Sequence, residues 1–312
     1  MKEILQQVKV RELNVHNINY FTMRKLIIII FIFYNFFASA QFIIDLDNLK
    51  SDYQINKYTF NTMELYGFNK TIEAYNIFIT PKTLLLISVL PNLQEDNNWR
   101  KIDYNSIKEK IVTKSMLESK MQDWLENNIP DKKTFAYNLI KRVNNEYYMS
   151  DLAFAELFVI NNYSLPIISS YGTINIKDSE VSIKEMEKAF RLQIPKQEFP
   201  LDVLHGEQWI KNLDDSYALR IYLSKKFTID GDKAYQFWTF DGWWIVDGYN
   251  SQRGIDRFVY IPGKGIVGGS YDFYFAHKPK LMHNTNVSLP VPAEKLWDNI
   301  INEKVMIAKE LK

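Results

Sequence analysis

The sequence predicts an α+β protein: antiparallel sheets with flanking helices, and a C-terminal β-meander covered by a terminal amphipathic helix. Three observations carry this. Over 58–90 and again over 226–275, aromatic and β-branched runs alternate with Gly, Pro or Asp-Gly breaks at hairpin spacing. Ser-Ile-Lys-Glu occurs at 106–109 and at 182–185, each time ahead of apolar residues at helical period. Over 292–311, Trp297, Ile300, Ile301, Val305, Ala308 and Leu311 share one broad helical face.

Residues 58–66, 71–80 and 83–90 read as three antiparallel strands, separated by Gly67-Phe68-Asn69 and Pro81-Lys82. Ser106 to Glu109 form a capping box, in which the serine accepts from the N3 amide and the glutamate reaches back. Behind it Ile107, Ile111, Leu117, Met121, Trp124 and Leu125 fall on one stripe, and Asn127, Asn128 and Pro130 stop the helix. Residues 135–143 and 147–159 are apolar runs that fit two strands or a strand and a helix. Residues 165–176 read as a strand bent by Pro166 and Gly172, and Ser182 opens a second capped helix ending by Pro195. The stretch 195–200 is the expected linker between an N-terminal α+β part (41–194) and a C-terminal part (201–312); the two either stand apart or form one domain. Residues 207–223 read as helix. Beyond them, 227–229, 234–240, 243–246, 257–261 and 270–275 alternate with Asp-Gly and Gly-Lys-Gly turns as a meander. The terminal helix is expected to lie across it, because a single apolar sheet needs a cover.

The first forty residues stand outside this fold. Met23-Arg24-Lys25, the apolar run 26–38 and Ala38-Ser39-Ala40 are the basic, apolar and small-residue parts of a signal peptide (23–40). Residues 1–22 then read as an over-extended start ahead of Met23, and the mature chain is expected to be exported, periplasmic or extracellular. An uncleaved anchor competes, since 26–44 approaches the length of a membrane span, but Asn35 and Ser39 interrupt the run. After cleavage no membrane span is expected.

Composition excludes several classes. Removing the five basic and two acidic residues of 1–40 leaves 33 Lys and Arg against 35 Asp and Glu, a net charge near −2. With no run of more than two adjacent cations, the chain lacks the basic footprint of a nucleic-acid binder. No cysteine is present, so thiol nucleophiles, disulfides and thiolate metal sites are out. Aromatic residues make up 15 %, which suits sheet cores and ligand-binding surfaces alike.

Motifs for chemistry are sparse. Gly263, Gly265 and Gly268 satisfy G-x-G-x-x-G, but strand-forming residues follow where dinucleotide binding needs a helix N-terminus, so a glycine-bent hairpin is expected. Of the histidines after the leader, His277 and His283 are six apart across Pro279, outside common zinc spacing. Asp45-Leu46-Asp47 and Asp230-Gly231-Asp232 are fragments of calcium loops without the later ligands. Neither G-x-S-x-G nor a P-loop occurs. No cofactor, metal or catalytic residue is assigned.

One feature points to binding. A turn at Asp241-Gly242 would pair Trp238 with Ile245 and Phe237 with Val246, placing Trp238, Phe240 and Trp243 on one face and Tyr235, Phe237 and Trp244 on the other. Both faces are apolar, so both are buried or one meets a ligand. Trp244 with Asp241, Asp247, Tyr249, Arg253 and Asp256 at the strand ends is the candidate binding set. The reading is an exported module that binds an unidentified ligand or protein partner. The alternative is an extracytoplasmic hydrolase, for example on glycans, with a carboxylate pair drawn from Asp241, Asp247 and Asp256. The leader reading predicts cleavage between Ala40 and Gln41. N-terminal sequencing of the exported protein checks it, and a product retaining Leu26 would establish an anchor instead.

Overall fold

In the computed structural model, the described residues are 43–93, 97–126, 134–161, 172–196, 199, 201, 221–240, 254–276 and 291–311. Strands β1 (Ile43–Asp45), β2 (Gln54–Asn61), β3 (Thr71–Thr80), β4 (Thr83–Val89), β5 (Trp99–Ile102), β6 (Thr134–Val143), β7 (Glu146–Ser150), β8 (Ala153–Asn161) and β9 (Thr173–Asn175) build the first sheet. Its order is β2-β3-β4-β8-β6-β7-β5, with β1 parallel to β6 and β9 parallel to β8. β10 (Ile221–Ile229), β11 (Asp232–Thr239), β12 (Arg257–Ile261), β13 (Gly265–Ser270) and β14 (Met306–Ile307) form the second, an antiparallel meander in chain order. Helices at Lys114–Glu126, Ile183–Gln193 and Ala293–Ile301 flank them. The chain is α+β, as expected, and Phe42–Lys312 form one unit.

Period-2 alternation sorts the first sheet into two faces. Tyr75, Ile77, Leu85, Ile87, Ala155 and Leu157 point one way, where Leu46, Leu49, Leu117 and Met121 cover them. Ile72, Ala74, Leu84, Leu86, Phe154 and Phe158 point the other way, into a core shared with the second sheet and with the helices Ile183–Gln193 and Ala293–Ile301. Three buried polar residues of β3, β4 and β8 sit on that inner face. Asn76 donates to Ile266 O (2.9 Å) and accepts from Ile266 N–H (2.6 Å). Ser88 Oγ bonds Tyr271 OH at 2.6 Å, and Glu156 Oε2 accepts from Ile255 N–H at 2.9 Å. Each is a polar contact from the first sheet to the second half of the chain.

Turn chemistry follows the sequence closely. Asn144 and Asn145 take φ of 50° and 64° between β6 and β7, and Asp230 and Gly231 take 49° and 85° between β10 and β11, the positive φ pair of a two-residue hairpin. The Gly263 to Gly268 motif is the expected hairpin bend between β12 and β13. A Cβ on Gly265 would lie 2.5 Å from Asn76 Oδ1, so glycine there also admits the Asn76 contact. Ser182 carries a complete capping box with Glu185 at the start of the helix Ile183–Gln193.

Several expectations are corrected. The first strand ends at Asn61, because Asn61 Oδ1 accepts from Met63 N–H (2.8 Å) and starts the helical turn Met63–Tyr66, which Gly67 closes in the left-handed conformation (φ 79°). Ser106 caps no α-helix. Its hydroxyl donates back to Asp103 O (2.7 Å) in a 3₁₀ turn, Val112 N–H bonds Ile43 O (2.8 Å), and the helix begins only at Lys114. The stripe therefore divides: Ile107 and Ile111 pack beside Ile43 and Ile140, while Leu117 and Met121 pack under the sheet. The side chains of Trp124 and Leu125 lie outside the described residues.

Residues 221–223, expected at the end of a helix, open β10, and 202–220 lie outside the described residues. Residues 272–276 are helical where a strand was expected, with Phe275 N–H on Tyr271 O (3.1 Å). The terminal helix stops at Ile301. Glu303 turns the chain with φ 52°, and Met306 and Ile307 add β14 to β13. Within 195–200, Phe199 is buried, its ring 5.6 Å from Phe190, 5.8 Å from Phe240 and 6.4 Å from Trp297.

Asn76→Leu is expected to lower the urea midpoint strongly, because it strands both backbone groups of Ile266, at about 1–3 kcal/mol for each buried group left unpaired. Equilibrium unfolding checks this. A midpoint equal to wild type would mean that the two sheets do not depend on these bonds.

Candidate functional site

β11 is central in its sheet. Phe237 pairs with Leu223 on one side and Phe258 on the other, and Trp238 with Tyr222 and Arg257. Both edges are thus occupied at these residues by β10 and β12; Ile245 and Val246, the partners expected from the sequence, lie outside the described residues. Side chains still alternate as the sequence requires. The Phe237 ring stacks on Phe258 (5.3 Å), which meets Phe158 of the first sheet (5.3 Å). Trp238 points the opposite way, stacks on Tyr222 (5.0 Å) and donates from Nε1 to Val181 O (2.8 Å). Both faces of β11 are core here; Trp238, Phe237 and Phe240 are at most 1 % exposed.

Of the six candidate binding residues, the structure places Asp256; Asp241, Trp244, Asp247, Tyr249 and Arg253 lie outside the described residues. Asp256 is buried immediately before β12. Its carbonyl accepts from Thr239 N–H (2.9 Å), its N–H donates to Ser270 O (2.8 Å), and its Oδ2 accepts from Phe273 N–H (3.0 Å). Just upstream, Ile255 N–H is held by Glu156, and a Cβ on Gly254 would sit 2.1 Å from Glu156 Oε2. Any side chain at 254 would displace that carboxylate from its bond to Ile255 N–H.

Next to Asp256 lies a buried ion pair that the sequence reading missed. Arg257 Nη1 contacts Asp272 Oδ2 at 2.5 Å, with side-chain exposures of 2 % and 0 %. Nε and Nη2 of Arg257 donate to Lys304 O at 3.1 and 2.9 Å. Tyr66 OH donates to Asp272 Oδ1 (3.2 Å) and accepts from Tyr271 N–H (2.7 Å). Burial pushes the Asp272 carboxyl above its ordinary range, and the Arg257 guanidinium opposes that. Burial, reinforced by Asp272, likewise raises the Tyr66 phenol well above its ordinary value, so it stays protonated as a donor. The available signal was a charge inside an apolar run, as in Arg257-Phe258-Val259-Tyr260-Ile261 and Tyr271-Asp272-Phe273. A further buried carboxylate, Glu303, accepts from Ile183 N–H at the helix start (2.7 Å) and from Ser224 Oγ. This fits an anion at a helix N-terminus.

A small cavity lies between these elements, with Ile183 and Ile300 on one side and Trp238, Thr239, Asp256 and Arg257 on the other. It offers ≈ 10 Å³ to the centre of a water-sized sphere, far too little for a sugar or peptide. A second polar cluster sits on β3. Glu73 accepts from Trp99 Nε1 (2.7 Å), Tyr75 OH (2.6 Å) and Lys141 Nζ (3.2 Å) and pairs with Lys57 (2.6 Å). Burial acts to raise the Glu73 carboxyl, but the bonds from Lys57 and Tyr75 and the Lys141 charge outweigh it and hold it at about 2. Lys141 Nζ lies 3.7 Å from the Trp99 ring centroid, so the ammonium is held by the ring face as well as by the Glu73 carboxylate. The cluster sets two cations against one carboxylate, with Lys57 reaching solvent, and its bonds join β2, β3, β5 and β6 as a structural pin.

Among the described residues no group of three His, Asp or Glu could hold a metal ion; His205, His277 and His283 lie outside them. Among the described residues, no helix is long and apolar enough to cross a membrane. Compared with protein-family models, curated proteins and solved structures, the chain matches none.

Arg257→Ala leaves Asp272 as an uncompensated buried charge, which typically costs about 3–5 kcal/mol. Its melting point is expected to fall sharply. The double variant Arg257→Met with Asp272→Leu is expected to recover a large part of the loss. Thermal melts of wild type and both variants check this, and equal melts for Arg257→Ala and wild type would exclude a role for the pair in stability.

Proposed function

We propose that the mature chain is an exported binding module whose ligand or protein partner is met by residues of 241–253, with Asp241, Trp244, Asp247, Tyr249 and Arg253 as the contacting set. The fixed state of Asp256 carries this reading over the hydrolase. A glycosidase needs two carboxyl groups facing each other across an open cleft. Asp256, one of three in the pool, is 4 % exposed, and its backbone and side chain are bonded to Thr239, Ser270 and Phe273.

Two further observations support binding by this segment. The aromatic residues of β11 are consumed by the core on both faces, so an aromatic contact surface has to come from elsewhere. The residues flanking 241–253 are held: Phe240 is buried, and Thr239 and Ile255 bond to Asp256 and Glu156. A rigid base of this kind lowers the ordering cost of presenting Trp, Tyr and charged side chains to a ligand. Export rests on the leader at 23–40.

Removing a buried aromatic costs about 3–5 kcal/mol, a large share of a domain's stability of about 5–15 kcal/mol. Trp238→Ala is therefore expected to lower the melting point strongly and Trp244→Ala to leave it near wild type. Soluble polysaccharides serve as probes, read by retention in affinity electrophoresis and by release of reducing ends. Retention without release, lost in Trp244→Ala at unchanged stability, is the expected result. Release of reducing ends that is abolished by Asp241→Asn or Asp247→Asn would establish the hydrolase instead. If Trp244→Ala melts as low as Trp238→Ala, Trp244 belongs to the core and not to a binding surface.

A further inference from the structure

We propose that residues 305–311 guard two sheet edges at once, β13 in the second sheet and β2 at Thr59 in the first, and so keep copies of this chain from adding to one another strand by strand. β2, β5, β10 and β14 are the terminal strands of the two sheets. A terminal strand offers unpaired N–H and C=O groups to another chain, and charged side chains on it discourage such pairing. β5 carries Arg100 and Lys101, and β10 carries Lys225 and Lys226, all of them exposed. β13 is different. Its sequence, Gly265-Ile266-Val267-Gly268-Gly269-Ser270, has no charge, and every residue of it is buried. Without β14 it would be a terminal strand with no side chain to discourage a partner.

The strap is fastened along its length. Arg257 Nε and Nη2 hold Lys304 O at 3.1 and 2.9 Å, which fixes where the segment starts. Met306 and Ile307 then pair with Gly269 and Gly268, and Ala308 N–H donates to Val267 O at 2.9 Å. A Cβ on Gly268 would lie 2.5 Å from Met306 O and 2.9 Å from Ile307 Cδ1, so glycine at this position admits the strap. Further on, Thr59 N–H of β2 donates to Glu310 Oε2 at 3.1 Å, so a side-chain carboxylate stands where a neighbouring strand would bond. Leu311 packs against the core between the sheets. β14 has only two residues, too few to add much as a strand, yet they cover the middle of β13. This inference does not depend on what residues 241–253 bind.

The test uses the full mature chain with Gly268→Ala, which pushes the strap off β13, and Ala308→Pro, which removes the N–H given to Val267 O. Leu117→Ala, under the other face of the first sheet, is the control that lowers stability and leaves the strap in place. Circular dichroism checks folding, and sedimentation velocity over a range of protein concentrations reads the mass. Wild type and Leu117→Ala are expected to keep one mass throughout. Gly268→Ala and Ala308→Pro are expected to gain mass with concentration, by about twofold or more, as β13 of one copy pairs with β13 of another. A folded strap variant that keeps the wild-type mass overturns the proposal, and so does association of Leu117→Ala to the same extent. Gly268→Ala decides alone if Ala308→Pro does not fold.

Discussion

Asn76, on the inner face of the first sheet, uses its side-chain amide as if it were a strand, giving and accepting one bond each with Ile266 of the second. Its register partner on β4 is Leu86, whose partner on β8 is Glu156, the residue that holds Ile255. Ser88, two residues along β4, meets the Tyr271 hydroxyl. Two apolar sheets alone can slide or rotate over one another, since the hydrophobic effect has no direction. Three directional contacts remove that freedom. They also constrain what lies opposite: glycine at 265 and at 254, where any Cβ would strike Asn76 or Glu156.

The remaining polar network grows from these pins. Once Tyr271 is fixed by Ser88, its N–H is aimed at Tyr66, and Tyr66 in turn reaches Asp272. Asp272 is paired by Arg257, which also gathers the carbonyl of Lys304 and so ties down the C-terminal segment that supplies β14. Every step buries one more polar group, and the last buries a charge pair, tolerable only because each group meets its partner. The tyrosines stay protonated for the same reason, since burial removes any stabilisation of a phenolate.

This organisation spends the aromatic residues on the scaffold. The aromatic richness that first suggested a ligand surface is largely absorbed by packing: Trp238 against Tyr222, Phe237 against Phe258, Phe199 against Phe240. What a sheet so thoroughly covered offers is a fixed place where β11 runs out at Phe240 and the chain returns at Ile255. The carboxylates near that place serve the backbone, with Asp256 engaged by Phe273 and Glu156 by Ile255.

Features set by neighbours a few residues away were legible in the sequence: β3 at Thr71–Thr80, the capping box at Ser182, the Asp230-Gly231 turn and the glycine bend at 263–265. Each depends on local dihedral preference and on side chains reaching a backbone group within about one turn. The Ser106 box failed by the same measure, because Asp103 offered a nearer acceptor and β1 took Val112 into an extended bond. Tertiary structure alone decided the partners of β11, since Phe258 and Leu223 compete for the same edges as any residue across a nearby turn, and register carries no local mark. It also decided the roles of Asn76, Glu156, Arg257 and Asp272. Asn76 and Ile266 are 190 positions apart, and only the stacking of two sheets, driven by apolar area, brings an amide side chain to the backbone that needs it.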